Sequence, residues 1–365
     1  MKTFLNLLFL ALLSLPVRSI GQQIDNLARL EMIHDNINKY LKDSKTGLYY
    51  EATERSPNEN TYSWLWPLCA LIQAANEMEV VKPQKRIMLP VEKAIEKYYS
   101  NVKSAPAYQD YVREERLSSR FYDDNQWIAI AYLDAYQRTK KKGYLDVSKM
   151  IYRFMMTGLD TITGGGLYWK EGDLSTKNTC SNGPGILVAL RLYEITRDSA
   201  YLKSALSLYN WTNNHLRAPD AIFYDAIKVP SLRIDKSKYS YNTGTMLQAN
   251  VLLYGLTQDR MYLNEAKTIA RSARNFFFQN GKLPGHYWFN AVMFRGFVEL
   301  YKVDNNKDWI DFYQKDAERV WSDERDQRNL IGKKEVKTLI DQAGMLEIYC
   351  RLEQLKLNEN AKRVH

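Results

Sequence analysis

Four stretches of this chain follow one plan. AYLDAYQRTKKKGYLDVSKMI, LRLYEITRDSAYLKSALSL, NVLLYGLTQDRMYLNEAKTIA and FVELYKVDNNKDWIDFYQKDA each hold an apolar stripe that ends in a tyrosine. A polar turn follows, and then an aromatic residue opens a second amphipathic run. The paired aromatics are Tyr136/Tyr144, Tyr193/Tyr201, Tyr254/Tyr262 and Tyr301/Trp309, each pair eight positions apart. Apolar residues recur at helical spacing on both sides of every turn, so each stretch predicts a helix–turn–helix hairpin.

Two weaker copies complete the set. WLWPLCALIQAANEM and LPVEKAIEKYYS form another pair, and the first and last helices can pair with each other. Twelve helices are expected, near 24–41, 61–79, 85–101, 122–139, 143–157, 180–197, 199–216, 239–258, 260–278, 288–303, 307–321 and 337–355. Six hairpins suit an all-α, closed (α/α)6 toroid with six inner helices ringed by six outer ones. The alternative is an open superhelix of stacked hairpins. The connections favour the ring: turns inside hairpins are short, whereas those between hairpins, at 42–60, 102–121, 158–179, 217–238, 279–287 and 322–336, are long and rich in aromatics. Gathered at one end of a ring, such loops build a cleft. No linker-like composition divides residues 22–365, which read as one domain.

The N-terminus has the pattern of a signal peptide. Lys2 is followed by the uncharged run LFLALLSLPV (8–17) and by small residues Ser19 and Gly21, so cleavage is expected near Gly21. The run is short for a bilayer span, and an exported, monomeric protein at the cell surface, in a periplasm or outside the cell is expected. Cys69, Cys180 and Cys350 form no paired spacing and read as small core residues. Four histidines, His34, His215, His286 and His365, show no metal-ligand spacing. No metal or cofactor is expected. The net charge of +9 resides largely in short clusters such as Lys140–Lys142 beside turns. No basic helix with interleaved aromatics marks a nucleic-acid surface.

Chemistry concentrates where long loops meet predicted inner helices. RFYDDNQWIAIAYLDAY sets Asp123 and Asp124 at a helix start. Neighbouring helical residues diverge by about 100°, so the two carboxylates can fork around one bound bond. Glycoside cleavage needs two carboxyl groups, one protonated and one ionised. Close like charges separate their titrations, while a helix N-terminus lowers both, so burial would have to keep the acid loaded. The competing reading is a helix cap, for which Asp is a favoured residue. GGGLYWKEGD (164–173), AIFYDAI (221–227) and GLYYE (47–51) each place aromatics beside an acid. The glycines 164–166 lack a phosphate-loop pattern and read as a turn. KNTCSNGPG (177–185) and YSYNTGT (239–245) open inner helices with polar residues that can cap or bind hydroxyls. Twenty-six Tyr and 8 Trp add faces that stack on sugar rings or fill a core.

In YDDNQW (122–127), GGGLYW (164–169), KNTCSNGPG (177–185), YSYNTG (239–244) and FNAVMFRGF (289–297), the chain resembles glycoside hydrolase family 76, the endo-acting α-1,6-mannanases of (α/α)6 fold. The motifs occur in family order over most of the chain. The resemblance implies a retaining mechanism on α-mannan polysaccharide or oligosaccharide, with Asp123 as nucleophile and Asp124 as acid/base. Retention calls for carboxyls roughly 5–5.5 Å apart. Trp169, Asn182, Tyr241 and Asn242 lie in matching motifs and become substrate-binding candidates. Tyr122 is expected either to bond a carboxylate or to pack in the core; Trp66, Tyr168 and Asp225 are further candidates. Trp127 and Trp288 read as core. Two alternatives stay open. Another (α/α)6 glycosidase, such as an unsaturated uronide hydrolase, would want basic side chains in its cleft. A glycan-binding toroid would bind sugar without turnover.

Overall fold

A computed structural model describes residues 25–54, 60–102 and 104–364; the expected signal peptide lies outside them. Among the described residues there are twelve α-helices: α1 (Asn26–Tyr40), α2 (Leu65–Val81), α3 (Met88–Glu96), α4 (Tyr122–Thr139), α5 (Lys142–Met156), α6 (Thr179–Thr196), α7 (Ser199–Leu216), α8 (Ser240–Thr257), α9 (Arg260–Phe277), α10 (Tyr287–Asp304), α11 (Asp308–Asp323) and α12 (Leu339–Val364). The even-numbered helices pack in sequence from α2 to α12, and α12 packs back on α2, so the ring closes. Odd-numbered helices lie outside, each packed chiefly on the inner helix of its own hairpin, with α1 on α12. The fold is the expected (α/α)6 toroid.

Burial separates the two rings. Inner helix α2 buries thirteen of its seventeen residues. Outer helix α9 buries only Ala266, Ile269, Ala270, Ala273 and Phe277, one stripe at helical spacing. Inner helices meet closely: a Cβ on Gly244 of α8 would stand 2.3 Å from the Met293 Cα of α10.

The repeated aromatics mark a specific corner. Inner helices α4, α6, α8 and α10 end at Lys140, Arg197, Gln258 and Asn305, all left-handed with φ of 51–60°. Each of these residues donates its N–H to the carbonyl of the repeat tyrosine, Tyr136, Tyr193, Tyr254 or Tyr301, at 2.8 Å. Asp198 and Asp259 then cap α7 and α9 by accepting from the N–H groups of Ala200 and Met261. The second aromatic of the pair packs sideways, as Tyr201 does on Tyr152 and Tyr262 on Tyr209.

Two helix ends differ most from the sequence reading. Helix α3 stops at Glu96, and Tyr99–Ser100 forms strand β1 against β2 (Ala107–Tyr108). The buried Tyr98 hydroxyl donates to the Ser63 carbonyl at 2.6 Å, which turns the chain out of the helix. Helix α12 continues to Val364 rather than ending near 355. The long connections also hold an antiparallel sheet that periodicity does not predict. Its order is β3 (Tyr168–Lys170), β4 (Asp173–Asn178), β5 (Tyr224–Lys228) and β6 (Arg233–Lys238). Pairing of β4 with β5 fuses the connections before α6 and α8. Further bridges, Ala52 to Thr338 and Phe121 to Lys170, tie other connections together.

These connections all precede inner helices, so they cover the end of the ring where those helices begin. Buried amides fasten them there. Asn125 accepts from the Tyr108 N–H and donates to the Tyr108 carbonyl. Asn182 does the same to Leu167, and Gln342 to Ile331. Each amide sits in the first turn of an inner helix and pairs with a loop residue as a neighbouring strand would. Along the ring's interior, Arg295, Glu347, Arg351 and Glu77 form a buried chain of ion pairs at 2.6–3.1 Å. Gln73 links this chain to the helix starts, accepting from Trp288 Nε1 and donating to the Trp127 carbonyl.

Candidate active site

The loop end of the ring opens into a cleft of about 790 Å³. Its floor is the first turn of α4. Neither acid there is the helix N-cap, which is Phe121 without a side-chain cap bond. Asp123 and Asp124 both line the cleft instead. Protein surrounds them closely, and the loss of water raises both carboxyls. Asp123 is pushed up to about 6 by burial, and held from going further chiefly by the Cys180 thiol and the Trp169 indole. Asp124 rises well above the usual carboxylate range through burial, then the charge of Asp123, then that of Asp110. Of the two, Asp124 is the one whose protonated form its surroundings favour more. Burial outweighs the helix N-terminus.

The hydrogen bonds also differ. Trp169 Nε1 donates to Asp123 Oδ2 at 3.2 Å. Asp123 Oδ1 is buried with no hydrogen-bond partner of good geometry. That oxygen is turned away from solvent, and its burial without a partner contributes to raising the carboxyl.

Among the sequence candidates, Trp66, Trp169, Tyr241 and Asp225 line the cleft with the two acids. Asn242 stands behind Asp225, donating to its Oδ1 at 3.1 Å. Three candidates lie elsewhere. Tyr122 packs on Phe154 and its hydroxyl meets Thr157, so it belongs to the core. Tyr168 donates to Asp160 at 2.7 Å, beneath the glycine turn rather than in the cleft. Asn182 spends its amide on Leu167 and on the Asn178 carbonyl. The glycines 164–166 do form a turn: buried Lys177 donates to the carbonyls of Ile162 and Gly165, so oxygens rather than N–H groups converge there.

Trp127 and Trp288 are buried in the core, as expected, and their edges also line the cleft, Trp288 edge-on to both Trp66 and Trp127. Cys180 is likewise buried but borders the cleft beside Asp123. Sequence reasoning passed over Trp64, Asp110, Tyr239 and Phe289, which also line the walls. Phe289 stacks between Tyr241 and His286 with ring centroids 4.0 and 3.6 Å away. The aromatic-rich junctions were the available signal for Tyr239 and Phe289; Asp110 had none. No group of three His, Cys, Asp or Glu placed to hold a metal occurs among the described residues.

The sequence profile of Glycosyl hydrolase family 76 matches residues 28–362. The chain belongs to this family. Solved structures of family 76 agree. A mannosidase of the family from Bacteroides thetaiotaomicron superposes with a TM-score of 0.84 at 28% identity, covering 92% of this chain and 99% of that one. A family 76 alpha-mannanase from the same organism gives 0.87 at 26% identity, covering 93% and 98%. Among curated proteins, a mannan endo-1,6-alpha-mannosidase of Candida glabrata is 26% identical over 184 residues, 46% of this chain and 41% of that protein. The match thus spans about two fifths of that relative's length.

Proposed function

We propose that this protein is a glycoside hydrolase that cuts α-1,6-mannosidic bonds within mannan, with net retention. The observation that carries the reading is a pair of adjacent carboxyls on the cleft floor with unlike surroundings, Trp169 bonded to Asp123 and Asp110 facing Asp124. Asp124 gives its proton to the glycosidic oxygen while the Asp123 carboxylate bonds to the anomeric carbon, and the leaving sugar departs with that proton. The Asp124 carboxylate then takes a proton from water as the water oxygen attacks the same carbon, which releases Asp123. Each step inverts the carbon, so two restore it.

The substrate class rests on the named relatives and on the lining charges. The cleft carries five acids, Asp110, Asp123, Asp124, Asp173 and Asp225, and one cation, Lys228. That balance suits a neutral sugar and disfavours a uronide. The apolar run at 8–17 supports export; no helix among the described residues is long and apolar enough to cross a membrane. The deciding experiment incubates the mature protein with debranched α-1,6-mannan and sizes the products over time. A rapid fall in chain length supports endo-cleavage, whereas binding without turnover favours the glycan-binding toroid.

A further inference from the structure

The proposed reaction requires the polysaccharide to lie one way round in the cleft, and the two carboxyls have different neighbours. Asp123 faces α6 and α8. Trp169 donates to it, and Cys180 and Tyr241, from the starts of those helices, border the cleft beside it. Asp124 follows one position later, about 100° around α4, on the side of α2. Its carbonyl accepts from the Cys69 thiol of α2 at 3.1 Å.

On that side the wall is Trp64, Trp66 and Asp110. Asp110 belongs to the connection before α4, yet the start of α2 holds it: the Leu65 N–H donates to its carbonyl at 2.9 Å. Its own N–H donates to Ser119 at 2.7 Å. The Ser118 hydroxyl donates to Oδ1. No bond to Oδ2 occurs among the described residues, and the side chain lines the cleft. A main chain fixed at both groups thus presents one unused carboxylate oxygen beside two indoles.

We propose that Trp64, Trp66 and Asp110 form the subsite for the leaving-group mannose, so that the substrate lies with its reducing end over α2 and its non-reducing end toward α6 and α8. The inference rests on the retaining mannanase reading. The acid must touch the glycosidic oxygen, so the sugar released with that oxygen lies beyond Asp124. The nucleophile must lie under the other sugar's anomeric carbon, so that ring sits over Asp123. The indoles offer apolar faces to the C–H side of the departing ring, and Asp110 Oδ2 accepts from one of its hydroxyls. A charged acceptor on a sugar hydroxyl is among the stronger hydrogen bonds available.

The electrostatics point the same way. Asp124 is faced by Asp123 on its own helix, Asp110 from the connection and Cys69 from α2. Arg116 and Lys170 face Asp110 and partly offset the burial that raises it. The residue that receives the departing sugar therefore also helps keep the acid protonated.

The test compares two substrates, α-1,6-mannotetraose and 2,4-dinitrophenyl α-mannoside, whose leaving group is not a sugar and needs little protonation. D110N and W64A should lower kcat/KM for the tetraose about 10- to 100-fold. That loss should exceed the loss on the aryl mannoside by at least about tenfold, the strength of one charge-assisted hydrogen bond. D225N, on the opposite wall, should reduce both substrates to a similar degree. D110N should also draw the basic limb of the tetraose profile to lower pH, which a merely structural role would not do. Unfolding midpoints report whether each variant is folded, and the isosteric D110N guards against a collapsed W64A. Equal losses on the two substrates, or none on either, overturn the subsite. A wild-type protein that leaves the tetraose intact overturns the mannanase reading and the subsite with it; wild-type cleavage with unaltered variants overturns the subsite alone.

Discussion

The indole N–H of Trp169 donates to Asp123 Oδ2 across 3.2 Å, joining a β-hairpin to the first turn of α4. Below it the hairpin is pinned by a buried pair, Arg120 with Glu171, whose main chains also bond at 3.0 Å. Trp169 is thus fixed over Asp123 although its ring remains exposed.

This contact has a pH signature. In the proposed mechanism Asp123 attacks ionised and Asp124 donates protonated, so kcat/KM should follow a bell with its acid limb near pH 6. Trp169→Phe keeps a ring but removes the donor that favours the ionised form. The acid limb should move up by about one pH unit, the scale of one hydrogen bond to a charge. An unmoved limb would show that the indole does not tune Asp123.

The two carboxyls should fail differently when neutralised. Asp124→Asn should all but abolish mannan cleavage while an activated aryl mannoside still forms the glycosyl-enzyme, which accumulates for want of a base. Azide should release it as a mannosyl azide of retained configuration. Asp123→Asn should lose both steps, with no such rescue. Rescue of Asp123→Asn alone would mean that the roles are exchanged, and two nearly active variants would leave the pair without a catalytic part.

The same burial has a cost in stability with a definite sign. Asp123 is raised from 3.8 in water to about 6 in the fold. Between those values the native state holds the extra proton, so stability falls as pH rises from about 4 to about 6, and the penalty is complete above that. Asp123→Asn should therefore raise stability at pH 7 by about 1–3 kcal/mol, and by much less at pH 4. Thermal unfolding at the two pH values measures it. A variant less stable than wild type at pH 7 would contradict the argument.

Asn182 offers a contrast, because it sits in a site motif but serves the scaffold. Asn182→Ala strands the buried N–H and carbonyl of Leu167 and should cost about 2–4 kcal/mol. At temperatures well below unfolding its KM for mannan should stay within about threefold of wild type, since the side chain is spent on the main chain. A large rise in KM with unchanged stability would make it a sugar ligand after all.

The ring was legible in sequence because its corner is local. A tyrosine carbonyl, a left-handed residue and a helix cap lie within a few positions, and their spacing recurs. The sheet was not legible. DLSTKN and RIDKSK carry polar side chains on both faces, since much of the sheet is bathed by solvent, and no two-residue alternation results. Asp123 and Asp124 stood out through their motif. Trp127 and Trp288 read correctly as core, but helical periodicity does not show that the buried axis of a toroid ends as a cleft floor. Asp110 depends on its contact with Leu65 at the start of α2, a pairing distant in sequence that no local pattern encodes.

Asn125, Asn182 and Gln342 grip Tyr108, Leu167 and Ile331 by peptide groups alone. Every amino acid except proline offers that same N–H and carbonyl. At these anchor points the side chains of the loops are released from the task of holding the loops in place. Substrate preference can then drift, or be engineered, by exchanging residues between fixed anchors, with little disturbance to the helices beneath. A library of loop variants built on this frame should accordingly yield folded proteins far more often than one that varies the three amides.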